Sequence, residues 1–306
     1  MSASLLLAIA LWPPALASHT MVYHDDLEMV VMFAGSDDTR SPTNVLWGWD
    51  GASWHRLHDG GPPARIHTGI AYDRPRGRLV VYGGIESRDR SFADTWEWDG
   101  DTWLERPSLP EGPGIRDHHA MAYDAQSELT VLWGGQDADD HYVSETWGWD
   151  GNAWTVLARE SPSVRGTHRL AYDPRRATTV LFGGWGPDGQ YGDSWEWGGR
   201  RWRPLNVAGP SPRGATRFAY DTERGELVLF GGLQERAHLA DTWILRDGVW
   251  SEAEVSGPSA RNVHAMAYDS KRQRVVIYGG IGADGRLDDL HEWDGTRWLE
   301  IERPVP

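Results

Sequence analysis

The same unit is written six times along this chain, and a chain built that way has few folds open to it. Tyr23, Tyr72, Tyr123, Tyr172, Tyr220 and Tyr268 are separated by 49, 51, 49, 48 and 48 residues, and Gly35, Gly84, Gly135, Gly184, Gly232 and Gly280 follow with the same five intervals. Five of these glycines close a Gly-Gly pair, and in the first copy the pair is Ala34-Gly35. A tryptophan closes each unit, at Trp54, Trp103, Trp154, Trp202, Trp250 and Trp298.

Each unit reads as four short strands, because every apolar or aromatic run is brief, β-rich and bounded by turn residues. In the fourth copy the runs are "HRLAYD", "TTVLFGG", "DSWEWGG" and "RWRPL", and Asp-Gly hairpins such as "WDGDTW" join the last two runs in other copies. With 19 Trp and 36 Gly and no sustained helical period, the composition agrees. A four-stranded meander cannot bury both faces alone, so six must pack side by side, and radial closure leaves few exposed edges. The expected fold is therefore all-β, a six-bladed propeller with four antiparallel strands per blade. The blades run approximately over 18-64, 65-115, 116-164, 165-212, 213-260 and 261-306. Blade one opens with its own first strand and blade six ends with its own last, so we expect the ring to close by packing alone.

The pattern R-x-x-H-x-x-A-Y-D, apolar run, Gly-Gly, variable loop, D-T-W-x-W-D-G, Trp resembles the Kelch repeat family over residues 18 to 306. That resemblance implies a Kelch-type β-propeller with the first strand innermost. It implies no single function, because the fold hosts adaptors, lectin-like binders and enzymes. The copper-radical chemistry of its oxidase members needs a Tyr–Cys crosslink, and this chain has no Cys. The iron site of nitrile-specifier proteins, spaced Glu, three residues, Asp, three residues, His, has no counterpart here. The six-blade count is also similar to that of bacterial sialic-acid mutarotases, which implies an arginine-lined mouth for an acidic sugar.

The net charge of -15, from 30 basic and 45 acidic residues, argues against nucleic acid as a partner. The absence of Cys excludes disulfides, thiolate nucleophiles and thiolate-ligated metals. Residues 1-17 carry two readings. "SLLLAIALW" followed by Ala15 and Ala17 resembles a secretory signal without a basic start, which would place the protein outside the cytoplasm. "PPALASHTMVYHD" also parallels "PPARIHTGIAYD", which makes the segment a repeat remnant of a cytoplasmic protein. The apolar run is too short to span a membrane as a helix. We expect a monomer with no cofactor and no bound metal.

With the strands of a blade lettered A to D, the A–B and C–D turns share one rim and the B–C and D–A connections the other. The second rim holds every variable stretch, including "QDADDHYVS" and "LQERAHLA", and is the expected binding face. It carries Arg65, Arg116, Arg165, Arg213 and Arg261, one per blade, with Leu16 in the first. A ring of guanidinium groups suits carboxylate or phosphate. The alternative is that each pairs with a neighbouring blade's carboxylate. Where other blades have Thr20, Gly69, Ala120 and Ala265, blades four and five have Arg169 and Arg217, a local basic cluster for an off-axis anion. His19, His119, His168 and His264 share a position with Thr68 and Thr216, and strand geometry turns them between blades rather than toward a metal. His118, His141, Glu235 and His238 are the acid–base candidates on this rim. The expectation is a binding module for an acidic protein, peptide or carbohydrate, with a carbohydrate isomerase as the alternative.

Overall fold

The structure, a computed structural model, describes residues 11–108, 111–159 and 162–304. Six four-stranded antiparallel sheets follow one another along the chain, each sheet in sequence order A-B-C-D. The A strands are Thr20–His24, Gly69–Asp73, Ala120–Asp124, Arg169–Asp173, Arg217–Asp221 and Ala265–Asp269. The B strands are Met29–Phe33, Arg78–Tyr82, Leu129–Trp133, Thr178–Phe182, Glu226–Gln234 and Arg274–Tyr278. The C strands are Leu46–Trp49, Thr95–Trp98, Thr146–Trp149, Ser194–Trp197, Ala237–Arg246 and Leu290–Trp293. The D strands are Trp54–His58, Trp103–Arg106, Trp154–Ala158, Trp202–Leu205, Val249–Ala253 and Trp298–Ile301. This is the six-bladed β-propeller the repeat predicts, and no helix long enough to cross a membrane is present among the described residues.

The core lies between blades. Each apolar cluster joins the B strand of one blade to the A strand and tryptophans of its neighbour; one brings together Val180, Phe182, Phe218, Tyr220 and Trp250. The closing tryptophan of a blade also donates its indole N–H to the preceding blade. Trp154, Trp202, Trp250 and Trp298 each reach a Thr or Ser hydroxyl at 2.9 Å. In the two blades whose predecessor offers Leu290 or Leu46 instead, Trp54 and Trp103 have no partner for that N–H.

Backbone bonds run around the ring. The second glycine of each pair donates to the next blade's D–A connection: Gly35 to Arg65 O at 3.0 Å, Gly84 to Arg116 O at 2.8 Å, and on around the ring to Gly280, which donates to Leu16 O at 2.8 Å. Only glycine fits there. Gly135 has φ +93°, and a Cβ at that position would sit 2.3 Å from Asp117 O. The ring thus closes through backbone bonds as well as the packing expected, and among the described residues blades six and one share no sheet. Blades six and one instead meet through Leu16, Met21, Tyr278 and Leu290.

The segment before the first strand belongs to this seam. Trp12 donates to Asp288 O at 2.7 Å, Tyr278 Oη donates to Pro13 O at 2.7 Å, and Ala17 and Ser36 exchange backbone bonds. The apolar run of the signal reading lies mostly in residues 1–10, outside the described residues.

Candidate functional site

The five repeat arginines, expected to line the mouth, are buried in the blades. Arg65, Arg165, Arg213 and Arg261 are at most 1% exposed, and Arg116 is 3% exposed. Arg65 Nη1 and Nη2 grip Asp94 at 2.7 and 2.8 Å, and Nη1 also donates to Gly83 O at 2.9 Å. Arg165, Arg213 and Arg261 repeat this with Asp193, Asp241 and Asp289, and Arg116 pairs with Glu145 at 3.2 Å. A guanidinium so enclosed needs a carboxylate, and blades two to six each supply one just before strand C or, for Asp241, within it. Each pair ties a D–A connection to the start of strand C within its own blade, not to a neighbour. Their donors are committed to the fold, which takes Arg65, Arg116, Arg165, Arg213 and Arg261 out of the candidate site. Burial pushes the Asp193 and Asp241 carboxyls up, but bonds to Arg165 and Arg213 outweigh it and hold both below the usual range.

Blade one replaces the pair as a unit. Leu16 stands where the others have arginine, and Val45, next to Leu46, stands where they have the carboxylate. Both join the blade six–blade one cluster.

The histidines that precede strand A are buried at the blade seams. His19, His119, His168 and His264 are 0–1% exposed, and His19 and His168 place Nε2 3.1 Å from the carbonyls of Tyr278 and Trp133 in the preceding blade. Thr68 and Thr216 donate instead to Tyr82 O and Phe230 O of their own blades. Burial, aided by arginine charges, pushes His19 and His119 down to about 3, so both rings are neutral. Of the loop candidates, His141 is exposed and lies 3.7 Å from Asp137, and Glu235 is an exposed turn residue. Neither faces the channel.

Arg169 and Arg217 do face it. The A strands form four tiers around the axis. At the floor stand Thr20, Gly69, Ala120, Arg169, Arg217 and Ala265; above them Met21, Ile70, Met121, Leu170, Phe218 and Met266. A row of Val22 and alanines follows, and six tyrosines ring the mouth. Floor and mouth are three residues apart, which at ~3.3 Å per residue gives a depth of about 10 Å. The cavity has a volume of about 350 Å³ and reaches Arg74, Pro174 and Thr222 in the A–B turns. It therefore opens on the rim opposite the one expected.

The reason lies in the D–A connections. Ser18, His67, His118, Thr167, Ala215 and Val263, one per blade, all take positive φ between 46° and 58°. That bend carries them over the axis, where Val263, Ala215, Thr167 and His118 each accept or donate backbone bonds of 2.8–3.2 Å between adjacent blades. Only a pocket of about 30 Å³ remains on that side, and Arg169 and Arg217 line it as well. His67 and His118 stack there with ring centroids 3.8 Å apart, and Asp117 holds His118 Nδ1.

Both floor arginines converge on one carbonyl. Arg169 Nε donates to Thr216 O at 3.2 Å and Arg217 Nη1 to the same oxygen at 2.9 Å. Arg217 is 8% exposed, and no ion pair involves either side chain among the described residues. Burial pushes Arg169 down to about 9, and burial with the Arg169 charge pushes Arg217 well below its usual range. Sequence comparison adds little. No family model matches the chain. Over 93 residues, 29% of the chain, it is 28% identical to dynein regulatory complex subunit 7 of Chlamydomonas reinhardtii, and it spans 8% of that protein's length.

Proposed function

We propose that the protein is a binding module for an acidic ligand, which enters the central channel from the A–B rim and places its anionic group on Arg169 and Arg217. The observation that carries this reading is the pair itself: two adjacent guanidinium groups, one of them 8% exposed, with no carboxylate partner. A buried unpaired charge is costly, and two like charges are worse. Every other enclosed arginine of the repeat has its carboxylate, so an anion from outside completes the pattern. Membership of the Kelch family is part of the same reading, supported by the six aligned sets of landmarks.

The test is a thermal-shift titration with small carboxylates on the wild type and on Arg169→Leu/Arg217→Met. A concentration-dependent rise in Tm is expected for the wild type only. Equal responses of the two proteins would end the proposal. One observation favours the isomerase as a second reading: His67 and His118, the latter held by Asp117, share the small pocket with both arginines and could move a proton. A sugar-anomer exchange assay showing only the spontaneous rate would remove it.

A further inference from the structure

We infer that the ligand is a slender monocarboxylate with an apolar, aromatic or alkyl, body rather than a sugar acid or an acidic peptide. The inference rests on the proposed anion site and concerns what stands above it. Between the arginines and the tyrosines, the tier of Met21, Ile70, Met121, Leu170, Phe218 and Met266 presents thioethers, alkyl groups and one phenyl ring, and the next tier is Val22 and alanine. No side chain in either tier carries a hydroxyl, amide or charge. The only polar groups at this depth are backbone groups on the free edges of the A strands.

A sugar acid brings a hydroxyl on nearly every carbon, and each would be desolvated without a side-chain partner. A peptide brings an amide pair every residue, and only the A-strand edges could meet it. A phenyl or alkyl chain has no polar group of its own to desolvate and gains apolar burial against the side chains of these tiers. The dimensions agree. A cavity of about 350 Å³ lies in the size range of small-molecule sites. Its depth of about 10 Å accommodates a carboxylate, a short linker and one ring. At the mouth Tyr72 directs its hydroxyl to the preceding blade's A–B turn, with Asp26 at 3.3 Å. Two convergent guanidinium groups suit one carboxylate bridging both, because each offers more donors than Thr216 O uses.

Calorimetric titration of the full chain with acetate, 4-phenylbutyrate, 4-phenylbutanol and glucuronate tests this. We expect 4-phenylbutyrate to bind at least tenfold more tightly than each of the other three, and Arg217→Met to weaken it at least tenfold. Val22→Phe, or Ala122→Leu should that variant not fold, is expected to weaken 4-phenylbutyrate and leave acetate unchanged. Tighter, Arg217-dependent binding of glucuronate would overturn the apolar class while leaving the acidic-ligand reading intact. Equal affinities for acetate and 4-phenylbutyrate would do the same, because the walls would then contribute nothing. Binding of every carboxylate unaffected by Arg217→Met would end both.

Discussion

Arg217 occupies a register position that four other blades fill with Thr20, Gly69, Ala120 or Ala265, and nothing in the packing of a blade requires a cation there. Its guanidinium has the Thr216 carbonyl and the charge of Arg169 for company. A buried charge without an opposite partner is costly, and an apolar residue of similar volume removes that cost. We therefore expect Arg217→Met to raise the Tm of the ligand-free protein while abolishing its response to carboxylates, a divergence that calorimetry reads directly. A stabilising loss of function is what a binding residue gives and what a structural one does not. Burial opposes the charged form of Arg169 and lowers its pKa; an anion beside it relieves that cost, and a guanidinium keeps its proton around neutral pH, so anion affinity should be flat there. These two residues were legible in the sequence because they break a repeat. The five regular arginines suggested a ring of binding groups, and their burial depends on a carboxylate 28 or 29 residues downstream whose contact no local pattern displays.

At the scale of the blade, the arginine–carboxylate clamp and its apolar substitute can be compared within one molecule. Blade one holds Leu16 and Val45 where blade two holds Arg65 and Asp94, and both arrangements support the same four strands. The clamp is thus replaceable as a pair but not by halves. Arg65→Leu alone strands the Asp94 carboxylate, which is 14% exposed, and is expected to cost about 3–5 kcal/mol. Arg65→Leu/Asp94→Val should recover at least half of that loss, as measured by denaturant unfolding. Strand C repeats with a period of two blades. Glu97 and Glu292 accept the indole N–H of Trp149 and Trp49 from the following blades, at 2.8 and 3.1 Å. Gly48, Gly148 and Ile244 fill the same position in blades one, three and five, and Trp98, Trp197 and Trp293 lack such an acceptor. Strand positions, hairpins and tryptophan packing could all be read from spacing, because period two and turn chemistry are local. Which indole finds a partner could not, because that depends on the neighbouring blade.

Over the whole ring, the rim that opens was the feature least visible in the sequence. The A–B turns are stereotyped and leave the mouth clear, whereas six D–A residues of left-handed conformation narrow the other end. Those residues are Ser, His, His, Thr, Ala and Val, none of which announces a positive φ as glycine or asparagine would. The same ring of A strands buries four neutral histidines at the blade seams, and this makes acid the natural denaturant. His19 and His119 are pushed down to about 3, and His168 and His264 well below 6.5, by burial first and arginine charge second. Unfolded, each takes up a proton near pH 6.5. The stability they allow is complete above that pH and is lost as pH falls toward 3, at roughly 1.4 kcal/mol per histidine per pH unit. Four such groups acting together would remove about 4 kcal/mol between pH 6.5 and 5.5, a large part of the stability of most proteins. We expect Tm to fall steeply below pH 6.5, with each of these histidines adding one proton to the uptake on unfolding as pH nears 5. Blades two and five already place Thr68 and Thr216 at this position, so His168→Thr keeps a hydroxyl within reach of a strand-end carbonyl while removing one titrating ring. That variant should lower the proton uptake by one. An unchanged slope would mean that His168 is not a neutral, seam-buried ring, and that the acid sensitivity of the ring has another origin.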